Sequence, residues 1–310
     1  NMIKVRRNIV ISVLLGLAFF IFSCDYTLKK STTTVGELKV EVDEGISPVI
    51  KKEADEFMRL NTESKISQQI KTTNEVIADL INGSAKTIVV GRDFTADENN
   101  IISNNKLEIK KDTFALDGIG IIVNNDNPIK KLNYNELKRI FTGETVEWKE
   151  LDGDNKDVYE GKIKVFIARR NASIHDFFMQ KVLNGSDFYN KSTICSTSAQ
   201  MLNEIKGNQN AIGFISMAWI TKSADTLDTS VKPLKIAKVD PSNGYIGLHQ
   251  AYIADKSYPL VTEVYIMSTD FSMNVSVGFI SFMLAYGGQR IVLNSGLVPV
   301  TQPVRIIQLN

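Results

Sequence analysis

Three times within its first hundred residues the chain passes from a short apolar strand through a polar turn toward a helix. Residues 38–42 alternate as a strand. A turn around Gly45 follows, then Val49, Ile50, Ala54, Phe57, Met58 and Leu60 recur at helical spacing. Ser47 suits the N-cap and Pro48 the first helical position. Residues 65–69 read as a second strand, and Thr72, Thr73 and Asn74 then cap a helix that Asn82-Gly83 ends. Residues 87–90 form a third, buried strand closed by Gly91, Arg92 and Asp93, with Thr95 opening another helical or turn segment. This alternation restricts the chain to an α/β fold built on parallel strands. Ligands of open α/β sheets bind at the C-terminal ends of strands, and here three successive ends carry polar residues.

The second half repeats the theme. Residues 107–114 and 118–123 read as two strands, and the turn cluster 124–128 marks a crossover between lobes. Residues 163–168 form a strand that delivers Arg169 and Arg170 to the start of a helix opened by Ser173 and continued by Phe177, Phe178 and Met179. Free backbone N–H groups and the helix dipole favour an anion there, and a guanidinium fork suits an oxyanion. The same segment alone also reads as a serine-capped helix beside solvated arginines. Thr197-Ser198 cap another helix, residues 211–215 and 234–239 are strands, and 264–267 is strand-like. Residues 271–293 carry a dense apolar helical pattern, stopped by Asn294-Ser295-Gly296. Asp152 to Asn155 lacks the acidic closer of a calcium loop and reads as a surface turn.

Lys4, Arg6 and Arg7 precede an apolar run over 9–22, too short for a comfortable membrane span and laid out as a secretory signal. Ile21-Phe22-Ser23-Cys24 resembles a relaxed bacterial lipobox, which implies cleavage before Cys24 and its lipidation. The expected layout is a signal over 1–23 and a polar lipid-attached tether over 24–36. Without Lys4, Arg6 and Arg7, 33 of the 36 basic groups face 35 acidic ones, a formal charge of −2. No global field recruits nucleic acid, so any anion is held by a local arrangement. Two cysteines and two distant histidines do not supply a zinc site.

Four pieces resemble the substrate-binding lipoprotein of bacterial phosphate ABC importers, the PstS type. The most specific is Leu116-Asp117-Gly118-Ile119-Gly120-Ile121-Ile122-Val123-Asn124 with Asn127-Pro128, Leu137 to Gly143 and Trp148. The others are Ala211-Ile212-Gly213-Phe214-Ile215, Tyr258-Pro259-Leu260 with Tyr265, and Gly288-Gln289-Arg290-Ile291-Val292 with Gly296 to Val300. They occur in the family's order and span nearly all of the chain after the tether.

The resemblance implies a two-lobed periplasmic-binding-protein fold with a ligand cleft between lobes: lobe one from 37–123 and 250–310, lobe two from 124–249. It implies a monomeric, non-enzymatic protein without cofactor that captures inorganic phosphate outside the cytoplasm, lipid-anchored to a membrane, for ABC permease subunits. Lobe one would offer the N–H of Ile46, Ser47, Thr72 or Thr73, and Arg92; lobe two would offer Arg169 and Ser173. Asp93 or Asp43 would accept the phosphate proton, and such a carboxylate would repel fully ionised sulfate. Ile174 and His175 stand where the family has Gly and Thr. Two alternatives stay open: another oxyanion such as sulfate or molybdate, and a non-transport anion sensor or surface interaction lipoprotein.

Overall fold

The computed structural model describes residues 31–301 apart from 157, 224–225 and 239–243. The signal segment, Cys24 and residues 302–310 lie outside the described residues.

Lobe one begins with β1 (Gly36–Asp43), a 3₁₀ turn over Glu44–Ile46 and α1 (Ser47–Leu60). β2 (Ser64–Lys71), α2 (Thr73–Ile81), β3 (Thr87–Val90) and α3 (Ala96–Asn104) follow. β1 pairs in parallel with both β2 and β3, so Asp43 lies level with Lys71 and one strand position beyond Val42, the partner of Val89. All three strand ends therefore open on one edge of the sheet. Val40, Val42, Val89, Ile50 and Phe57 fill the core beneath it.

β4 (Lys110–Asn124) is a single strand of 15 residues where the sequence suggests two. The presumed break contains Asp117, a residue unfavoured in strands. Here it is buried and accepts a hydrogen bond from the Met217 N–H at 3.2 Å, so the strand runs through it. The consequence is architectural. Residues 110–118 of β4 pair with β13 (Val261–Ser268) in lobe one, whereas residues 119–123 pair with β8 (Ala211–Ser216) in lobe two. One strand thus belongs to both lobes.

Between these lie β5 (Lys131–Asn133), α4 (Tyr134–Thr142), β6 (Lys164–Ala168), α5 (Ser173–Lys181), β7 (Thr193–Cys195) and α6 (Ser198–Lys206). After β8 come α7 (Met217–Ile220), the antiparallel pair β9 (Thr221–Ser223) and β10 (Thr226–Leu227), β11 (Val231–Pro233), β12 (Lys235–Ala237) and α8 (Gln250–Ala254). The main sheet runs β2-β1-β3-β13-β4-β8-β6-β7, with β11 and the late β14 (Val298–Pro299) also on β4. β6 is parallel to β7 and β8, so Ala168 and Cys195 end side by side. The lobe-two core centres on Phe178 stacked on Phe214 at 4.3 Å, with Phe141 at 4.7 Å from Phe178.

The apolar run over 271–293 is not one helix. It folds as α9 (Val275–Leu284) and α10 (Tyr286–Asn294), bent by 60°. Asn274 caps α9, and extended backbone at Ala285 breaks the run. A side chain at Gly288 would meet the Phe282 carbonyl oxygen at 2.5 Å, so glycine there permits the tight bend. No single described helix is long and apolar enough to cross a membrane.

Candidate functional site

The parallel strand ends of lobe one face those of lobe two, and one cluster of polar contacts between them meets at Asp43. This residue ends β1 and caps the 3₁₀ turn, its Oδ1 accepting the Gly45 N–H at 3.2 Å. Its Oδ2 accepts three further donors. Thr73 Oγ1 donates at 2.6 Å, the Gly91 N–H at 3.3 Å and, from lobe two, Ser173 Oγ at 2.6 Å. The Ser173 N–H, first in α5, donates to Thr73 Oγ1 at 2.8 Å. The carboxylate is thus gripped from both lobes by charge-assisted hydrogen bonds. Asp43, Thr73 and Ser173 are all buried.

Glu44 makes a second bridge. Its Oε1 accepts the Ser198 N–H at 2.9 Å, and its Oε2 accepts Ser198 Oγ at 2.9 Å. Burial pushes the Glu44 carboxyl upward, the Ser198 bonds oppose the shift, the Asp43 charge adds to it and Arg169 offsets part of it. A third bridge joins Asn74 and Asn171, N–H to carbonyl at 3.3 Å and amide to amide at 3.2 Å. Asn171 has φ of 69°, which turns the chain sharply between Arg170 and the start of α5.

Gly91 is what lets the lobes approach so closely. A Cβ there would stand 2.7 Å from Ser173 Oγ and 3.3 Å from Asp43 Oδ2. Below, burial pushes the Asp117 carboxyl up to about 7, and the charge of Asp43 contributes to the rise. The space between Asp43, Glu44, Thr72, Arg169, Ser173 and Ser198 is about 20 Å³.

The sequence-selected residues divide by position. Thr73 and Ser173 meet at one point, and Arg169 lines the same space. Among the described residues, no ion pair or hydrogen bond engages the Arg169 guanidinium, and its charge reaches both Glu44 and Glu75. Thr72 lines the space too, but its hydroxyl donates to Glu75 in a capping box at 2.6 Å. The Ser47 hydroxyl turns back to the Glu44 carbonyl at 2.9 Å, and Ile46 is buried in the lobe-one core. Arg92 forms a two-pronged pair with Glu98 at 2.8 Å and also reaches Asn74. Asp93 is held by Lys111 at 2.6 Å.

Gly91, Glu44 and Ser198 were not selected from the sequence. The signal for Ser198 was present, since Thr197-Ser198 opens a helix just after a strand end. Glu44 gave none, although its neighbour Asp43 is a candidate carboxylate for the phosphate proton. Ser173 Oγ donates its hydrogen bond to the Asp43 carboxylate, while His175 stacks on Phe188 at 4.9 Å and its Nδ1 lies 3.0 Å from Asp176. No serine–histidine pair is formed there.

Two α/β lobes sharing a continuous strand, with polar strand and helix ends facing across a cleft, define a two-lobed binding protein. The chain belongs to the PBP superfamily, whose domain matches residues 28–285. It is similar to the phosphate-binding protein PstS of Staphylococcus saprophyticus, with 24% identity over 80% of this chain and 75% of that one. It is also similar to the Bacillus subtilis phosphate-binding protein PstS, with 23% identity over 86% and 81% of the two chains. Among solved structures, it resembles a candidate phosphate ABC transporter substrate-binding protein from Clostridium perfringens with bound phosphate. That match has a TM-score of 0.73 and 24% identity, covering 86% of this chain and all (100%) of the other. An ABC-type phosphate transport receptor from Vibrio cholerae matches with a TM-score of 0.63 and 21% identity, covering 84% and 99%.

Proposed function

We propose that this chain is the extracytoplasmic substrate-binding component of a phosphate ABC importer. The observation that carries the reading is the convergence at Asp43 Oδ2. Two hydroxyls and a backbone N–H, drawn from both lobes, meet within hydrogen-bonding distance of a single anionic oxygen. An oxyanion needs such a seat, and Arg169 beside it, without an ion pair among the described residues, supplies compensating charge. Similarity to proteins named for phosphate binding supports the choice of anion.

In this reading Thr73, Ser173, Arg169 and the Gly91 N–H hold the ligand, and the lobes close over it by hinge motion about the shared strand. Ser47, Thr72 and the Ile46 N–H shape the loop and helix starts around them. Arg92 and Asp93 act at the rim, where Arg92 steadies the Asn74–Asn171 bridge through Asn74. The role is binding, without a cofactor and without a reaction at Ser173. Cleavage before Cys24 and its lipidation would keep the protein beside the permease, a step checked by the mass of the mature N-terminus.

The test is a titration of the purified protein with phosphate, sulfate and molybdate, read by calorimetry and by thermal stabilisation. Phosphate binding with sulfate and molybdate inert is the expected result, and Arg169→Ala should weaken it at least tenfold. Sulfate binding without phosphate binding sinks the assignment.

A further inference from the structure

The oxyanion seat is filled by the protein itself. Asp43 Oδ2 takes the Thr73, Gly91 and Ser173 donors, and the adjacent Glu44 takes both donors of Ser198. Consecutive carboxylates from one turn of lobe one therefore sit at the starts of two lobe-two helices, α5 and α6. The remaining space of about 20 Å³ is on the scale that accommodates one water. A tetrahedral oxyanion, five heavy atoms large, does not fit beside them while the lobes stay together. Two carboxylates at the seat would also repel an arriving anion.

We propose that Asp43 and Glu44 are internal ligands of the cleft. They hold the lobes closed when no anion has been captured, and an incoming oxyanion must displace them. A hinged binding protein is drawn shut by the ligand that bridges its lobes, because closure is favoured only as far as contacts differ between states. Here Asp43 and Glu44 themselves make contacts that bridge the lobes. The carboxylates then set specificity by competition: only an oxyanion that satisfies the seat better than a tethered carboxylate gains access. The tether gives the internal group a high effective concentration, so a weakly matched anion loses.

The inference rests on the phosphate reading only for its affinity arm, and the experiment separates the two. Lys51 on α1 and Lys181 on α5 are exposed on opposite lobes. Replacing both with cysteine, with Cys24→Ser, allows spin labels to report the interlobe distance in the full chain. For the anion-free protein we expect one short distance, unchanged by inorganic phosphate. Asp43→Ala with Glu44→Ala should lengthen and broaden it, and phosphate should shorten it again with affinity at least tenfold tighter than the unsubstituted protein's. Asp43→Asn keeps the side-chain shape and removes the charge, so it provides the same comparison if the alanine variant does not fold.

An anion-free protein as open as the variants overturns the proposal. So does phosphate binding that weakens in the variants. Variants that open but are neither closed nor stabilised by millimolar phosphate leave the internal ligands standing and sink the phosphate assignment instead.

Discussion

Ser173 Oγ lies 2.6 Å from Asp43 Oδ2, and the two residues are 130 positions apart in the chain. The bond joins the end of the first strand of lobe one to the start of a helix in lobe two. It lies in a buried setting, where a charge-assisted hydrogen bond is strong and an unmet acceptor is costly. Ser173→Ala removes the donor and leaves Asp43 with its lobe-one partners only. We expect a loss of about 1–3 kcal/mol in stability, read by chemical denaturation. Denaturation unchanged within error would show that the bond contributes nothing net.

Gly91→Ala tests the close approach. The new Cβ would crowd Ser173 Oγ at 2.7 Å, the movable end of a short side chain, and Asp43 Oδ2 at 3.3 Å. The serine can rotate away, but its bond to Asp43 is then lost. Small-angle scattering should report a larger radius for the variant than for the native protein. An unchanged radius would mean that the lobes close without that bond.

Glu53 predicts a pH dependence. It lies on α1 with no exposed surface, and among the described residues neither carboxyl oxygen has a hydrogen-bond partner. Burial, with a smaller contribution from Glu56, pushes its carboxyl up to about 9. The folded state therefore holds this proton when the unfolded state, at its ordinary value of 4.5, has released it. Stability from this group is greatest below 4.5, falls as pH rises toward 9 and levels off above that. The slope approaches about 1.4 kcal/mol per pH unit in that window. Glu53→Met should flatten the urea-midpoint profile there and raise the midpoint most at and above about pH 9. A parallel profile for both proteins would remove Glu53 as the cause.

Gly278→Ala addresses how the N-terminal segment docks. A Cβ at this position on α9 would collide with the carbonyl oxygen of Thr33, a backbone atom. The segment around Thr33 should be displaced while the cleft residues, on other elements, are undisturbed. Limited proteolysis should cut near residue 33 several-fold faster in the variant, with anion binding unchanged. Equal cutting rates would show that the segment is not seated on α9 in solution.

Much of the architecture is legible in local pattern. The strand-turn-helix units at 38–60, 65–81 and 163–183 follow from apolar spacing and from Ser47-Pro48, Thr72 and Ser173 at helix starts, though Ser47 is the first helical residue and not the N-cap: Ile46 stands there, and the Ser47 hydroxyl turns to Glu44 instead. Two elements escaped for equally physical reasons. Asp117 suggested a break in β4, yet a partner 100 residues away satisfies its carboxylate and lets the strand cross both lobes. The run over 271–293 lacked a proline to announce its bend, and the glycine pair after Ala285 reveals its purpose only where α10 packs back on Phe282 and Met283.

The sequence by itself determined that polar residues would collect at parallel strand ends, and that Thr73, Arg169 and Ser173 belong among them. It could not determine which groups oppose one another, because alternation and capping are local while pairing across a cleft depends on the relative placement of two lobes. Only the tertiary structure decided that Arg92 and Asp93 engage Glu98 and Lys111, that Arg169 keeps no partner among the described residues, and that Asp43 and Glu44 accept bonds from Ser173 and Ser198 across the lobes. Two acids in a turn are solvated by default. They become bridging ligands only when lobe two brings the hydroxyls of Ser173 and Ser198 within bonding distance, where the desolvation of the carboxylates is offset by the hydrogen bonds they accept.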